Sequence, residues 1–220
     1  MHIVNAPMTR LVDLAGISIA FAVRSVLEVE PDLRGGFRLS EREVEAPYEK
    51  DYDAIGGNRP EDWLARFDTR AWGLLLAEEK TEVIGACLLA WNTPGVDMLE
   101  GRSDLAVLWD LRVQPTWRGK GVGTALFQAA LAWAKERGAR ELKVETQNNN
   151  VPAVKFYLRM GCKLKSAIPA AYPEFPAECM LLFYVRLDRG RGAIHYWAPL
   201  PPNRTCGSPA YGSPENRYLI

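Results

Sequence analysis

The sequence predicts a mixed α/β domain, and three stretches of its 220 residues carry that prediction. In the first, Leu105, Val107, Trp109, Leu111 and Val113 alternate with Ala106, Leu108, Asp110 and Arg112, the period of a strand with one apolar face. That strand runs into a glycine-rich turn. Val122, Leu126, Ala129, Ala130, Trp133 and Ala134 then recur at helical spacing until Gly138, a stop signal. In the second stretch, Arg140 to Gln147 reads as a strand leading into a short helix from Asn150 to Gly161, with Asn150 as N-cap and Pro152 in the first turn. In the third, the apolar runs Ala71 to Glu78 and Glu82 to Trp91 flank Glu79-Lys80-Thr81, which makes a hairpin.

Taken in order, residues 1 to 16 are mixed, with a short helix expected from Arg10 to Ala15 under a Thr9 cap. Ile17 to Glu30 is rich in Val, Ile, Phe and Leu, turns at Pro31-Asp32 and Gly35-Gly36, and continues into Phe37 to Val44, a β-ribbon. Pro47 to Asp53 reads as a polar, aromatic loop, and Arg59 to Arg70 as a helix capped by Asn58 with Trp63, Leu64 and Phe67 on one side. After the hairpin and the two strand–helix units, Lys163 to Ile168 and Glu178 to Leu187 are two closing strands joined by Pro169 to Ala177. Beyond Asp188 the composition turns to proline and glycine, so the chain divides into a domain over 1–187 and a tail over 188–220. Such a tail buries too little apolar surface to offset its ordering entropy, and disorder or an extended wrap is expected. Ile194, Tyr196 and Trp197 would let it dock on the domain or on a second copy, making a homodimer.

Lysine and arginine total 27, as do aspartate and glutamate, so no global pull toward nucleic acid or membrane is implied. Cys87, Cys162, Cys179 and Cys206 show no Cys-x-x-Cys pairing and only two histidines exist, so no metal site is expected and a reduced, cytoplasmic compartment is. Leu11 to Val23 is apolar and ends near a signal-like Ala20-Phe-Ala22, but Asp13 interrupts it and it is too short to span a bilayer.

The turn between Val113 and Val122 holds Gly119, Gly121 and Gly123. Without Cβ atoms, such residues let main-chain N–H groups close around an anion at a helix N-terminus, where unpaired donors and the macrodipole already favour negative charge. Arg118 and Lys120 add mobile positive charge, and the whole reads as a pyrophosphate cradle. A nucleoside-triphosphate loop would need Lys-Ser or Lys-Thr after the glycines, and none follows. A dinucleotide fingerprint would need a third glycine where Thr124 or Leu126 stands, although Glu141 sits about where a ribose-binding acid is wanted. What fits is Arg-x-x-Gly-x-Gly, as Arg118, Gly121 and Gly123.

That form resembles the pyrophosphate loop of the GNAT superfamily of acetyl-CoA-dependent N-acetyltransferases. A second segment strengthens the resemblance: Asn150, Ala153, Tyr157 and Gly161 match Asn-x-x-Ala-x-x-x-Tyr-x-x-x-Gly, with Cys162 where the family usually has an aromatic residue. The resemblance implies a central, mostly antiparallel sheet flanked by helices. It also implies that the turn from Arg118 through Gly119, Lys120, Gly121, Val122 and Gly123 to Thr124 holds the diphosphate. Leu111, Arg112 and Val113 would pair with the pantetheine arm like an added strand, Asn150 would hold that arm beside Ala153, and Tyr157 would face the sulfur as general acid.

An alkyl amine with pKa ~10 must lose a proton before it attacks, which calls for a carboxylate or a water chain. Asp110 and Glu145, each at the loop end of its strand, are both candidates for that base, acting directly or through water, or for binding the ammonium group; the alternative for Glu145 is a solvated strand residue. Between Leu27 and Asp68 twelve acids face six bases, which suggests a cationic acceptor held by carboxylates and aromatic faces. Tyr48-Glu-Lys-Asp-Tyr52, Glu145 to Ala153 and Pro173-Glu-Phe-Pro176 are similar to streptothricin acetyltransferases. On that similarity Tyr48, Tyr52, Asp53, Asp110 and Glu145 are the expected acceptor-binding residues. A protein or peptide N-acetyltransferase, or a CoA-sensing module without turnover, are the competing expectations.

Overall fold

The computed structural model describes residues 1–187, so the expected tail and its docking lie outside the described residues. In chain order the elements are β1 (His2–Ala6), α1 (Leu11–Ala15), β2 (Phe21–Pro31), β3 (Phe37–Lys50), α2 (Pro60–Arg66), β4 (Gly73–Glu79), β5 (Glu82–Trp91), β6 (Leu105–Val113), α3 (Val122–Glu136), β7 (Glu141–Gln147), α4 (Val151–Arg159), β8 (Lys163–Pro169) and β9 (Cys179–Arg186). Seven strands form one sheet in the order β1-β4-β5-β6-β7-β9-β8, and β2 and β3 pair as a separate ribbon. Every neighbouring pair is antiparallel except β6 and β7. This is the mixed α/β, mostly antiparallel arrangement that the sequence led us to expect.

Each face of the sheet has its own core. On one side α3 and α4 pack Leu126, Phe127, Ala130, Val154 and Tyr157 against Ala106, Leu108, Val144 and Phe183. On the other, α1 and α2 bring Leu11, Leu14 and Trp63 onto Leu74, Leu76, Val107 and Trp109. Trp109 sits in an aromatic cluster, with ring centroids 5.0 Å from Trp72, 5.3 Å from Phe67 and 6.1 Å from Trp63. Such pairs contribute about 0.5–1.5 kcal/mol each beyond their buried area.

Trp109 also corrects the simple alternation along β6. Opposite β5, Leu88 pairs with Asp110 and Leu89 with Leu108, so Trp109 is an extra residue, a β-bulge. One added residue moves everything after it to the other face. Leu111 and Val113 therefore join Ala106 and Leu108 on the α3 side instead of continuing the row of Val107 and Trp109.

Four further boundaries differ from the expectation. His2–Ala6 is an edge strand, and α1 begins after Arg10 with no Thr9 cap. β3 runs on to Lys50 through the stretch that reads as a loop, because Ala22 and Val23 of β2 pair with Glu49 and Tyr48. α2 is only Pro60–Arg66, with Arg59 as N-cap; Asp62 Oδ2 accepts the Arg59 N–H at 3.3 Å. Asn58 is instead buried and donates to the Tyr52 carbonyl at 3.1 Å. Among the described residues no helix is long and apolar enough to cross a membrane.

Candidate active site

The site exists because the two parallel strands part. β6 and β7 are paired from Leu105 opposite Glu141 to Leu108 opposite Val144, and no ladder joins them beyond that point. A cleft of about 470 Å³ opens there, lined by Asp110 and Leu111 of β6, Glu145 of β7, Tyr157 of α4 and the glycine turn ahead of α3.

The turn has the backbone that the glycines foretell. Gly119 and Gly121 have φ of +77° and +87°, conformations that L side chains rarely adopt, yet a Cβ at either would meet no atom of the described residues within 4 Å. Glycine is thus required by the backbone and leaves open space in front of α3. Gly123 differs: it lies inside the helix, where a Cβ would make ordinary 3.7 Å contacts with Phe156 and Val113. The first i to i−4 bond of α3 runs from the Ala125 N–H to the Gly121 carbonyl, so the N–H groups of Val122, Gly123 and Thr124 have no acceptor within the helix. Val122 itself is buried in the core, and the Lys120 ammonium lies 5.1 Å from the Trp117 ring centroid. Arg118 is not the mobile charge expected: its guanidinium donates to the carbonyls of Val113, Ala20 and Ser18 at 3.1, 3.2 and 2.9 Å. It ties the turn to the segment entering the ribbon while still lining the cleft.

On the facing helix, Asn150 caps α4 by accepting the Ala153 N–H at 3.2 Å, and Asn150, Ala153 and Tyr157 all line the cleft. The Tyr157 ring is wedged among Phe127, Phe156 and Phe183, with centroids 5.3–6.2 Å away. Burial pushes its phenol well above the ordinary value, with Cys162 and Asp110 adding to the shift, so it is protonated at neutral pH.

The two carboxylates are buried in different settings. Asp110 and Arg112 are two residues apart on one face of β6, and the Arg112 guanidinium donates to Asp110 Oδ2 at 2.8 Å. The same guanidinium grips both oxygens of Asp53 at 2.6 and 2.8 Å and the Ile17 carbonyl at 3.1 Å. Burial pushes the Asp110 carboxyl up while Arg112 opposes it, and its Oδ1 is buried with no hydrogen-bond partner among the described residues. Glu145 is no solvated strand residue: only 4% of it is exposed. Burial pushes its carboxyl up to about 7, against a 2.7 Å hydrogen bond from the Tyr172 hydroxyl and the charge of Lys143.

Of the expected acceptor-binding residues, Tyr52, Asp110 and Glu145 line the cleft. Asp53 is occupied by Arg112, and Tyr48 is 46% exposed on the ribbon and lies outside the lining. The acid excess of the N-terminal third is mostly on the ribbon surface, where Glu28, Glu30 and Glu41 pair with Arg42, Arg38 and Lys155. Sequence reasoning misses Tyr172, which comes from the segment between β8 and β9, and the side-chain role of Arg112. The second was legible, since an i, i+2 spacing in a strand puts Asp110 and Arg112 on one face.

Comparison with known proteins agrees with this architecture. The model of the acetyltransferase (GNAT) family matches residues 37–162, which is more than half of the chain. A streptothricin acetyltransferase of Streptomyces lavendulae is 32% identical over 162 residues, covering 70% of this chain and 79% of its own. One from Escherichia coli is 34% identical over 169 residues, covering 74% and 84%. A nourseothricin acetyltransferase structure superposes with a TM-score of 0.65 at 23% identity, covering 85% of this chain and 98% of its own. A Bacillus anthracis protein solved in complex with acetyl coenzyme A superposes with a TM-score of 0.68, also at 23% identity, over 84% and 98% of the two chains. At that identity the structures speak for the fold; together with the family match and the two sequence relatives, they establish that the chain belongs to the acetyltransferase (GNAT) family.

Proposed function

We propose that the protein transfers the acetyl group of acetyl-CoA to a primary amine of a small cationic acceptor of the streptothricin type. The observation that carries the reading is convergence: an anion-ready helix mouth, a protonated phenol and a buried carboxylate poised near neutral pH all open on one cleft. The named activity of the Streptomyces lavendulae and Escherichia coli relatives supports the acceptor class.

The residues fit the co-substrate. The N–H groups of Gly119, Gly121, Gly123 and Thr124 suit a diphosphate, and the open space at Gly119 and Gly121 allows it close approach. The edge of β6 that faces away from β5 beyond Leu108 offers main-chain pairing to an extended arm. Acetyl-CoA supplies an activated acetyl thioester; the chain supplies positions and protons. Asp110 Oδ1, buried and unpartnered, receives the acceptor's ammonium group. Glu145 takes the proton that frees the amine, a task matched to a carboxyl near pH 7. Tyr157 returns a proton to the departing sulfur and is restored from solvent.

The test is mass spectrometry of streptothricin after incubation with protein and acetyl-CoA, beside thiol release with a panel of amines and peptides. A gain of one acetyl group on streptothricin supports the reading. Acetylation of peptides but not of small amines, or no thiol release from any amine, overturns it.

A further inference from the structure

A buried chain of hydrogen bonds runs behind the cleft and ends on Glu145. The Tyr52 hydroxyl donates to Gln147 Oε1 in a short contact. Gln147 Nε2 donates to the Tyr172 hydroxyl at 2.9 Å, and that hydroxyl donates to Glu145 Oε1 at 2.7 Å. Tyr52, Gln147, Tyr172 and Glu145 are all nearly inaccessible to solvent. They come from the turn after the ribbon, the end of β7 and the segment between β8 and β9, so only the folded state assembles them.

The polarity of the chain is fixed by its chemistry. A primary amide nitrogen only donates, so Tyr172 accepts from Gln147 and has its own proton free for the carboxylate. Because an ionised carboxylate only accepts, the Tyr172 hydroxyl is the donor to Glu145. The Gln147 oxygen, in turn, faces the Tyr52 proton, which sets the amide's orientation. Every donor points toward the carboxylate. The same amide prevents the chain from relaying protons, because it would have to pass through an imidic acid; the network orients.

We propose that Tyr172, held by Gln147 and Tyr52, is a positioning residue that fixes the orientation of the Glu145 carboxylate as proton acceptor by donating to its Oε1. The inference rests on the base role given to Glu145 above. The other group that acts on Glu145 is Lys143 on its own strand; Asp110 and Arg112 of β6 and Tyr157 of α4 line the same cleft, and Glu178 with Lys50 lies beyond Tyr52. Lys143 is the other group that favours the ionised form, and its ammonium is itself bonded to Glu100 at 2.8 Å and to the Met98 carbonyl at 3.2 Å. Tyr172 is therefore the direct hydrogen bond that opposes the effect of burial on Glu145. Tyr52 also lines the cleft, which links the wall that an acceptor touches to the carboxylate that deprotonates it.

The experiment is the pH profile of kcat/KM for Tyr172→Phe, with the titration of the Glu145 carboxyl followed by carbon-13 NMR. The variant keeps the buried ring and removes one charge-assisted hydrogen bond, so both the acid limb and the NMR titration move up by about one pH unit. The rate at pH 6 falls about tenfold, recovers by pH 9, and KM for acetyl-CoA is unchanged. Tyr52→Phe, which removes one of the bonds that orient the Gln147 amide, moves both in the same direction by less, and it supplies the test should Tyr172→Phe not fold. A loss of rate equal at all pH values, or an unmoved titration, overturns the proposal. Glu145→Gln separates the two readings: if it keeps the acid limb, the base role falls; if it loses the limb while Tyr172→Phe leaves the limb in place, only the positioning role falls.

Discussion

Replacing Gly121 by alanine separates the structural from the binding role of the glycine turn. Its φ of +87° and ψ of −5° put it in the left-handed region, and the new Cβ would meet no atom of the described residues within 4 Å. The folding cost is backbone strain alone, about 1–2 kcal/mol, a fall in Tm of about 2–8 °C for a domain of this size. The methyl group stands in the space before the helix N-terminus, where N–H groups would meet a diphosphate. Losing one hydrogen bond to a charged group there costs about 1.5–3 kcal/mol, so Kd for coenzyme A should rise about 10- to 100-fold by calorimetry. Gly138 is the control: its φ is +91°, its Cβ is equally unobstructed, and it lies beyond the far end of α3. Gly138→Ala should lower Tm by a similar amount and leave coenzyme A affinity as it was. Equal affinity losses in the two variants, or native affinity in Gly121→Ala, would refute the cradle.

Four other outcomes follow from the same site. With the Glu145 carboxyl pushed up to about 7, the wild-type rate should fall about tenfold per pH unit below that value, and Glu145→Gln should lose this limb along with about 100-fold or more in kcat. Because folding raises this group's pKa, its ionisation favours the unfolded state: Glu145→Gln should raise Tm at pH 8 by relieving up to about 3 kcal/mol and should change it little at pH 4. Arg112→Met leaves Asp110 and Asp53 without their shared cation, and denaturant titration should show a loss of about 3–5 kcal/mol. Tyr157→Phe should bind coenzyme A with native affinity and turn over about 100-fold more slowly, as calorimetry and initial rates will report.

The parts of the fold that follow from local chemistry are the ones the sequence makes legible. Gly138 and Gly161 end their helices, with φ of +91° and +83°, and Asn150 starts one, because capping depends on neighbours in the chain. The extension of β3 through Tyr48 to Lys50 is hidden by Pro47 and four charged neighbours, since its strand character comes from pairing with β2. The bulge at Trp109 is likewise a tertiary event: a cluster of Trp63, Phe67 and Trp72 holds the indole, and local alternation gives no sign of it. In the site, Glu145, Asp110, Asn150 and Tyr157 can be named from spacing and resemblance. What surrounds them cannot, because Tyr172 reaches Glu145 from 27 residues away and Asp53 reaches Arg112 from 59. Net acidity of the N-terminal third is a poor guide for the same reason, as many of those acids stand on the ribbon surface, where Glu28, Glu30 and Glu41 meet Arg42, Arg38 and Lys155.

The most direct test of the central claim is a crystal structure of the protein grown with coenzyme A. The account predicts the diphosphate within hydrogen-bonding distance of the N–H groups between Gly119 and Thr124, and the sulfur beside the Tyr157 hydroxyl in the gap between β6 and β7. A coenzyme bound away from that turn, or one whose sulfur points out of the gap, would contradict it.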